Sequence, residues 1–228
     1  MDSTATTVSS QARAYAYLKE RIGNLRLRPN QRIKALEIAN ELGLSRTPVK
    51  EALSQLEQEG LVRRELGSGY VVEAITGKQI LDLYRVREAL EVEAAREALP
   101  LINDEILATL ARMLKNAEPL LRKKRYDEFL RASRNFHNEI AAVTGNAVLR
   151  QMLGKLNDRI WSIGTIVVKK YPARAHAILL DNHRLLEALR ARDPAAVERA
   201  VRLHISGASD AARKFLATEM HQLYFAAA

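Results

Sequence analysis

Residues 35–60, ALEIANELGLSRTPVKEALSQLEQEG, constrain the chain more than any other stretch. Leu36, Ile38, Ala39 and Leu42 recur at helical spacing, and the pattern breaks at Gly43. Glycine adopts the left-handed conformation that ends a helix without a Cβ penalty. Ser45 is a good N-cap, and Pro48 is tolerated in a first turn. Val49, Leu53 and Leu56 carry the next apolar stripe up to Gly60. Helix, tight glycine turn, helix is the spacing of a helix-turn-helix.

The flanks extend that unit. Residues 10–23 predict a preceding helix with Ala14, Tyr17, Leu18 and Ile22 on one face and Gly23 as a stop. After Gly60, LVRREL and YVVEAI are β-prone runs around Gly67-Ser68-Gly69, a hairpin signal. Helix-turn-helix plus hairpin makes a winged helix. Thr76 caps a new helix, so the domain boundary is expected near residue 75.

Beyond it the pattern is helical throughout. One helix runs through Ile80, Leu83, Val86 and Leu90 to Pro100; others are expected at 103–121, 126–143, 147–170 and 173–192. The last starts with Asp193 as cap and Pro194 at its first position and continues to about residue 219. The fold class is therefore mainly α: an N-terminal winged helix-turn-helix (1–75) followed by an antiparallel bundle of six or seven helices (76–228).

Composition removes several alternatives. With no cysteine, disulfides and thiolate metal sites are excluded. No apolar run reaches the ~20 residues of a membrane span, and the N-terminus lacks the features of a secretion signal, so a cytoplasmic protein is expected. The net charge of +9 suits an anionic partner but does not locate it. Residues 1–75 hold 11 Lys and Arg against 9 Asp and Glu, whereas the remainder holds 25 against 18. The run Arg122–Arg125 reads more simply as a solvated helix end than as a nucleic-acid site.

The local pattern locates the DNA contacts. The second helix of a helix-turn-helix enters the major groove with its first residues nearest the bases, here Ser45, Arg46, Thr47 and Lys50. Arg46 can fork onto guanine, and Ser45, Thr47 and the free N–H groups of the helix start suit phosphate or base edges. Arg46 and Lys50 lie early in this helix and Glu57 and Glu59 late, so its cationic end should face DNA. An ordinary helical hairpin with solvated basic residues would show the same spacing.

The stretch LxxELGLSRTPVKEALxxLEQEGLVRRELGSGYVV resembles the winged helix of the GntR family of transcriptional regulators. The resemblance implies that Arg46 and Lys50 are the base- and phosphate-contacting positions, Thr47 a phosphate contact, and Gly67 the wing-tip glycine. Leu36 stands where some members carry a DNA-touching arginine. DLYRVREALEVEAAREA (82–98), FHNEIAAVTGN (136–146) and DNHRLLEALRARDPAAVERAVRLHI (181–205) resemble the FCD-type effector domain of the FadR-like branch.

Many such domains hold a metal through an Asp, a His one turn later and two further His. The resemblance puts His137, His183 and His204 at the three histidine positions, with zinc or nickel the implied ions. Neutral imidazole suits both, although each histidine alone reads equally as a core residue. The Asp position is Ser133, and His176 is a substitute ligand on the face of His183. Arg87, Ser133 and Trp161 are expected to line the effector pocket, with Tyr84 and Arg134 behind them. Arg87 can equally pair with Glu91 at i+4, and Trp161 can be plain core.

The implied protein is a homodimeric repressor, not an enzyme, released from an inverted-repeat operator by a small organic acid. A metal-dependent hydrolase fused to a nucleic-acid module competes, as does an architectural DNA binder without a ligand. Against the hydrolase, no His-Glu-x-x-His pair, nucleophile elbow or phosphate-binding glycine loop is present.

Overall fold

The computed structural model describes residues 9–65 and 69–225, the last seven of these as backbone. Two compact units divide the chain, Met1–Ile75 and Thr76–Ala228. Among the described residues the chain is mainly helical, with one small sheet.

In the first unit, α1 (Ser10–Gly23), α2 (Ala35–Leu42) and α3 (Arg46–Gln58) pack with three short strands. Gly43 has φ +65°, and its N–H and that of Leu44 bond back onto Ala39 and Asn40 carbonyls, closing α2 and turning the chain into α3. The strands β2 (Val62–Glu65) and β3 (Gly69–Val72) form the antiparallel wing, Val62 opposite Val72 and Glu65 opposite Gly69. A third strand, β1 (Arg32–Ile33), pairs with the other edge of β3, so the order is β1-β3-β2. Two residues carry no alternation to read, which is why the sequence gives no signal for β1. Ala14, Leu18, Ile38, Val49, Leu53, Leu56, Val62 and Tyr70 build the core.

The second unit contains α4 (Gly77–Ala98), a 3₁₀ turn (Leu99–Leu101), α5 (Asp104–Arg122), α6 (Tyr126–Val143), α7 (Ala147–Lys170), α8 (Pro172–Arg190) and α9 (Pro194–Phe225). Thr76 and Gln79 form a reciprocal capping box at the start of α4. Asp193 Oδ1 accepts from the N–H groups of Ala195 and Ala196 at the start of α9. Phe129 and Phe136 of α6 are wholly buried at the centre.

Two apolar residues face the opposite way to expectation. Leu36 and Val86, read as stripe residues, are 45% and 49% exposed. At 100° per residue, Leu36 lies two positions and about 200° from Ile38, so the two cannot share a face. Val86 stands the same angle from Tyr84. The inward face of α4 is instead Ile80, Tyr84 and Glu91, with Arg87 beside them. Tyr84, Arg87 and Glu91 are the polar part of a face that also buries Val92, Ala94, Ala95 and Ala98, and they mark the interior site.

Candidate functional site

At the first unit's exposed corner, Ser45 precedes α3 in an extended conformation, and its side chain makes no capping bond. Its hydroxyl and the first N–H groups of α3 are thus available to an anion. Arg46 and Thr47 on the first turn of α3 and Lys50 just beyond it are exposed, and neither basic residue pairs with a carboxylate among the described residues. Val49, Ala52, Leu53 and Leu56 pin the opposite face of α3 into the core. Glu57 accepts a bond from the Arg64 backbone N–H at 3.1 Å, so this late carboxylate is committed to the wing. Gly67 lies outside the described residues. Arg64, not foreseen from sequence, lies on the wing with Nη2 donating to the Tyr70 hydroxyl at 3.1 Å.

Within the second unit, α4, α6, α7, α8 and α9 line a partly open pocket with room of about 80 Å³ for water-sized groups. One water needs only ~10–15 Å³ on that measure, so the cavity accommodates a small organic molecule. Arg87, Ser133 and Trp161 all line it, as do Tyr84 and Arg134. Leu130, Ile160, Val167, Val168 and Ile178 supply apolar wall, and Arg174, Asn157 and His204 add polar groups. Arg174 was not singled out in the sequence, because nothing in the pattern of α8 shows that it folds back over Gly207. A Cβ at Gly207 would sit 2.8 Å from Arg174 Nη1.

Each arginine on the wall is held by a carboxylate. Arg87 Nε donates to Glu91 Oε1 at 2.6 Å; Arg134 Nη1 meets Asp158 at 2.8 Å; Arg174 donates to Asp181 at 3.2 Å and to the His204 carbonyl at 2.9 Å. Burial alone would raise the Glu91 pKa, but Arg87 and then His137 overcome it and hold the carboxyl ionised, well below its ordinary range. Around this polar centre, the buried atoms Glu91 Oε2, Arg174 Nε and His204 Nδ1 stay without a hydrogen bond. Glu91 Oε2 lies 2.9 Å from His137 Nδ1, an ion-pair distance that does not complete a directed hydrogen bond.

The structure brings two of the three candidate metal histidines together and separates the third. The rings of His137 and His204 stack with centroids 4.6 Å apart. His183 points away from them, 40% exposed, with Nε2 3.5 Å from Glu118. Its neighbour Asn182 takes the inward position, only 1% exposed, because the helical rotation of α8 turns residues 182, 185, 186 and 189 inward together. His176, the substitute, is exposed and bonds the Pro172 carbonyl at 3.2 Å. Among the described residues no three His, Cys, Asp or Glu side chains are arranged to hold a metal ion. A zinc or nickel site built on His137, His183 and His204 therefore does not fit this fold.

Burial, and then the neighbouring charge of His137 and Arg87, push the His204 pKa well below its usual value. The unfolded chain then takes up a proton, at the ordinary value near ~6.5, that the folded state refuses. The stability from neutral His204 is complete above that value and lost as the pH falls below it. Melting temperature is expected to drop between pH 7.5 and 5.5, and His204→Gln to flatten that slope. An unchanged slope in the variant, measured by thermal melts across that range, contradicts the assignment. Glu91 does not confuse the window, since a depressed carboxyl loses its contribution only in stronger acid.

Known proteins match both units. Residues 10–72 match the model described as "Bacterial regulatory proteins, gntR family", and residues 82–207 match the FCD domain. The "Probable D-xylose utilization operon transcriptional repressor" of Paenarthrobacter nicotinovorans is 30% identical over 207 residues, covering 89% of this chain and 88% of that protein. The "HTH-type transcriptional repressor RspR" of Escherichia coli strain K12 is 25% identical over 205 residues, covering 88% and 87%. The solved structure of E. coli McbR/YncC superposes with a TM-score of 0.80 at 23% identity, covering 91% of this chain and 99% of that one. The chain belongs to the GntR family of bacterial regulators, with an FCD domain following its winged helix, and is a DNA-binding transcriptional regulator.

Proposed function

We propose that this regulator is a homodimeric repressor that leaves an inverted-repeat operator when a small organic acid enters the cavity of its helical unit. The carrying observation is the composition of the cavity wall. Three arginines surround a largely apolar space, and Arg174 Nε is buried on its wall without a hydrogen-bond partner. A buried donor without an acceptor costs about 1–3 kcal/mol, which a carboxylate oxygen recovers on binding. Apolar walls with a few convergent polar groups are the usual make-up of a small-molecule site.

On this reading Ser45, Arg46, Thr47 and Lys50 carry the operator contacts, and two-fold symmetry of the dimer matches two half-sites. Effector binding changes operator affinity by a coupling free energy, typically about 1–3 kcal/mol. No described helix is long and apolar enough to cross a membrane, in keeping with action in the cytoplasm.

The test starts from duplexes selected from a random pool by the full-length protein. Two- to six-carbon carboxylic acids are titrated against the complex, with neutral sugars, D-xylose among them, as the contrasting arm. At least one acid should weaken operator binding about tenfold, in line with such a coupling. Release by sugars and by no acid contradicts the acid reading. For assembly, the full chain and residues 76–228 should sediment as dimers and residues 1–75 as a monomer; a monomeric 76–228 fragment contradicts the dimer arrangement.

A further inference from the structure

We infer that the polar centre of the helical unit works without a metal ion, Asn182 filling the place of an imidazole ligand in a closed, side-chain-only network. Asn182 Nδ2 donates to Ser133 Oγ at 2.9 Å, and Asn182 Oδ1 lies 3.0 Å from His137 Nε2. All three residues are buried, at 1%, 6% and 8% exposure. The other ring nitrogen of His137 faces the Glu91 carboxylate, which Arg87 holds from the far side.

This network consumes the electron pairs a metal needs. If the Asn182 oxygen faces Nε2, that nitrogen carries a proton. If the amide is turned over, its NH₂ group donates to the Nε2 lone pair and its oxygen accepts from the Ser133 hydroxyl. In both orientations Nε2 is spent. Nδ1 is taken up by the Glu91 carboxylate, 2.9 Å away. The donors are also wrong for the ions: a hydroxyl and an amide replace the carboxylate and imidazole that zinc and nickel favour. The histidines that could compensate, His176 and His183, face outward. The metal's usual work, gripping an acidic ligand, then falls to Arg174 and His204. That last clause rests on the effector reading above; metal independence does not.

Metal-free full-length protein is titrated with zinc, nickel and manganese salts alone, followed by calorimetry and thermal melts. The wild-type melting temperature should not rise with any of them. In Ser133→Asp/Asn182→His, carboxylate and imidazole return beside His137 and His204, and the melting temperature should rise with metal and fall back with chelator. A wild-type protein stabilised by metal and reversed by chelator overturns the inference. So does a folded double variant indifferent to metal, because the four positions then do not share one point. If the double variant does not fold, Asn182→His alone is read in the same way. Operator release by an acid is run with and without chelator. Release abolished by chelator overturns metal independence, whereas no release in either arm, with metal-indifferent melts, counts against the effector reading alone.

Discussion

Glu91→Ala is expected to destabilise the helical unit by about 3–5 kcal/mol, the range for removing one partner of a buried ion pair. Glu91 is 4% exposed and engages two groups, with Oε1 bonded to Arg87 and Oε2 against His137. Removing it strands the guanidinium and the imidazole together in a site that also refuses a proton on His204. The cost comes from those stranded groups rather than from the lost attraction itself. Arg87→Met with Glu91→Leu should therefore recover much of the loss, since apolar side chains of similar size replace a buried pair with little penalty. Arg87 borders the cavity, so some water reaches it and the lower end of the range is favoured. Urea denaturation followed by circular dichroism measures both variants. A loss below about 1 kcal/mol for Glu91→Ala shows that the pair is screened as a surface pair would be.

What the sequence discloses and what it hides divide along physical lines. Punctuation is legible: Gly43 ends α2, Thr76 starts α4, Pro172 separates α7 from α8 and Asp193-Pro194 opens α9, each by a local backbone constraint. Facing is less so. Val86 looks like part of the inner stripe of α4, yet it is half exposed, and the helix turns Tyr84, Arg87 and Glu91 inward beside apolar residues such as Leu90, so apolar character alone does not mark the inside here. A stripe containing an i,i+4 Arg–Glu pair between Tyr84 and Ala95 was the available signal.

The histidines show the same limit. His183 and Asn182 are adjacent, and one residue of rotation, 100°, decides which reaches His137. A resemblance can align a motif to within one position, and at a helix face one position is the whole answer. Arg174 escaped for a different reason. Its partners are Asp181, two turns further along the same face of α8, and the His204 carbonyl on α9, the second of which only the packed bundle supplies. The apolar wall was easier, since Trp161 lies at helical spacing from Gly164 and Val168 on α7, all bordering the same space.

Arg46→Ala is expected to reduce operator binding more than binding to scrambled DNA, by the roughly 1–3 kcal/mol, or about 5- to 150-fold, that a forked base contact contributes to discrimination. The geometry supports a rigid reader. Arg46 is exposed on the first turn of α3, while Val49, Ala52, Leu53 and Leu56 fix the helix from behind, so the side chain is presented from a fixed backbone. Arg46→Lys keeps the charge and loses the planar fork, and should retain scrambled binding while losing most of the preference for the operator. Lys50→Ala is the contrasting case. A point charge on phosphate weakens both duplexes alike and lowers the salt dependence of binding by about one ion. Titrations of operator and scrambled duplexes at several salt concentrations separate the two roles. Equal losses on both duplexes for Arg46→Ala would move Arg46 to the phosphate backbone and leave base reading to Ser45, Thr47 or the wing.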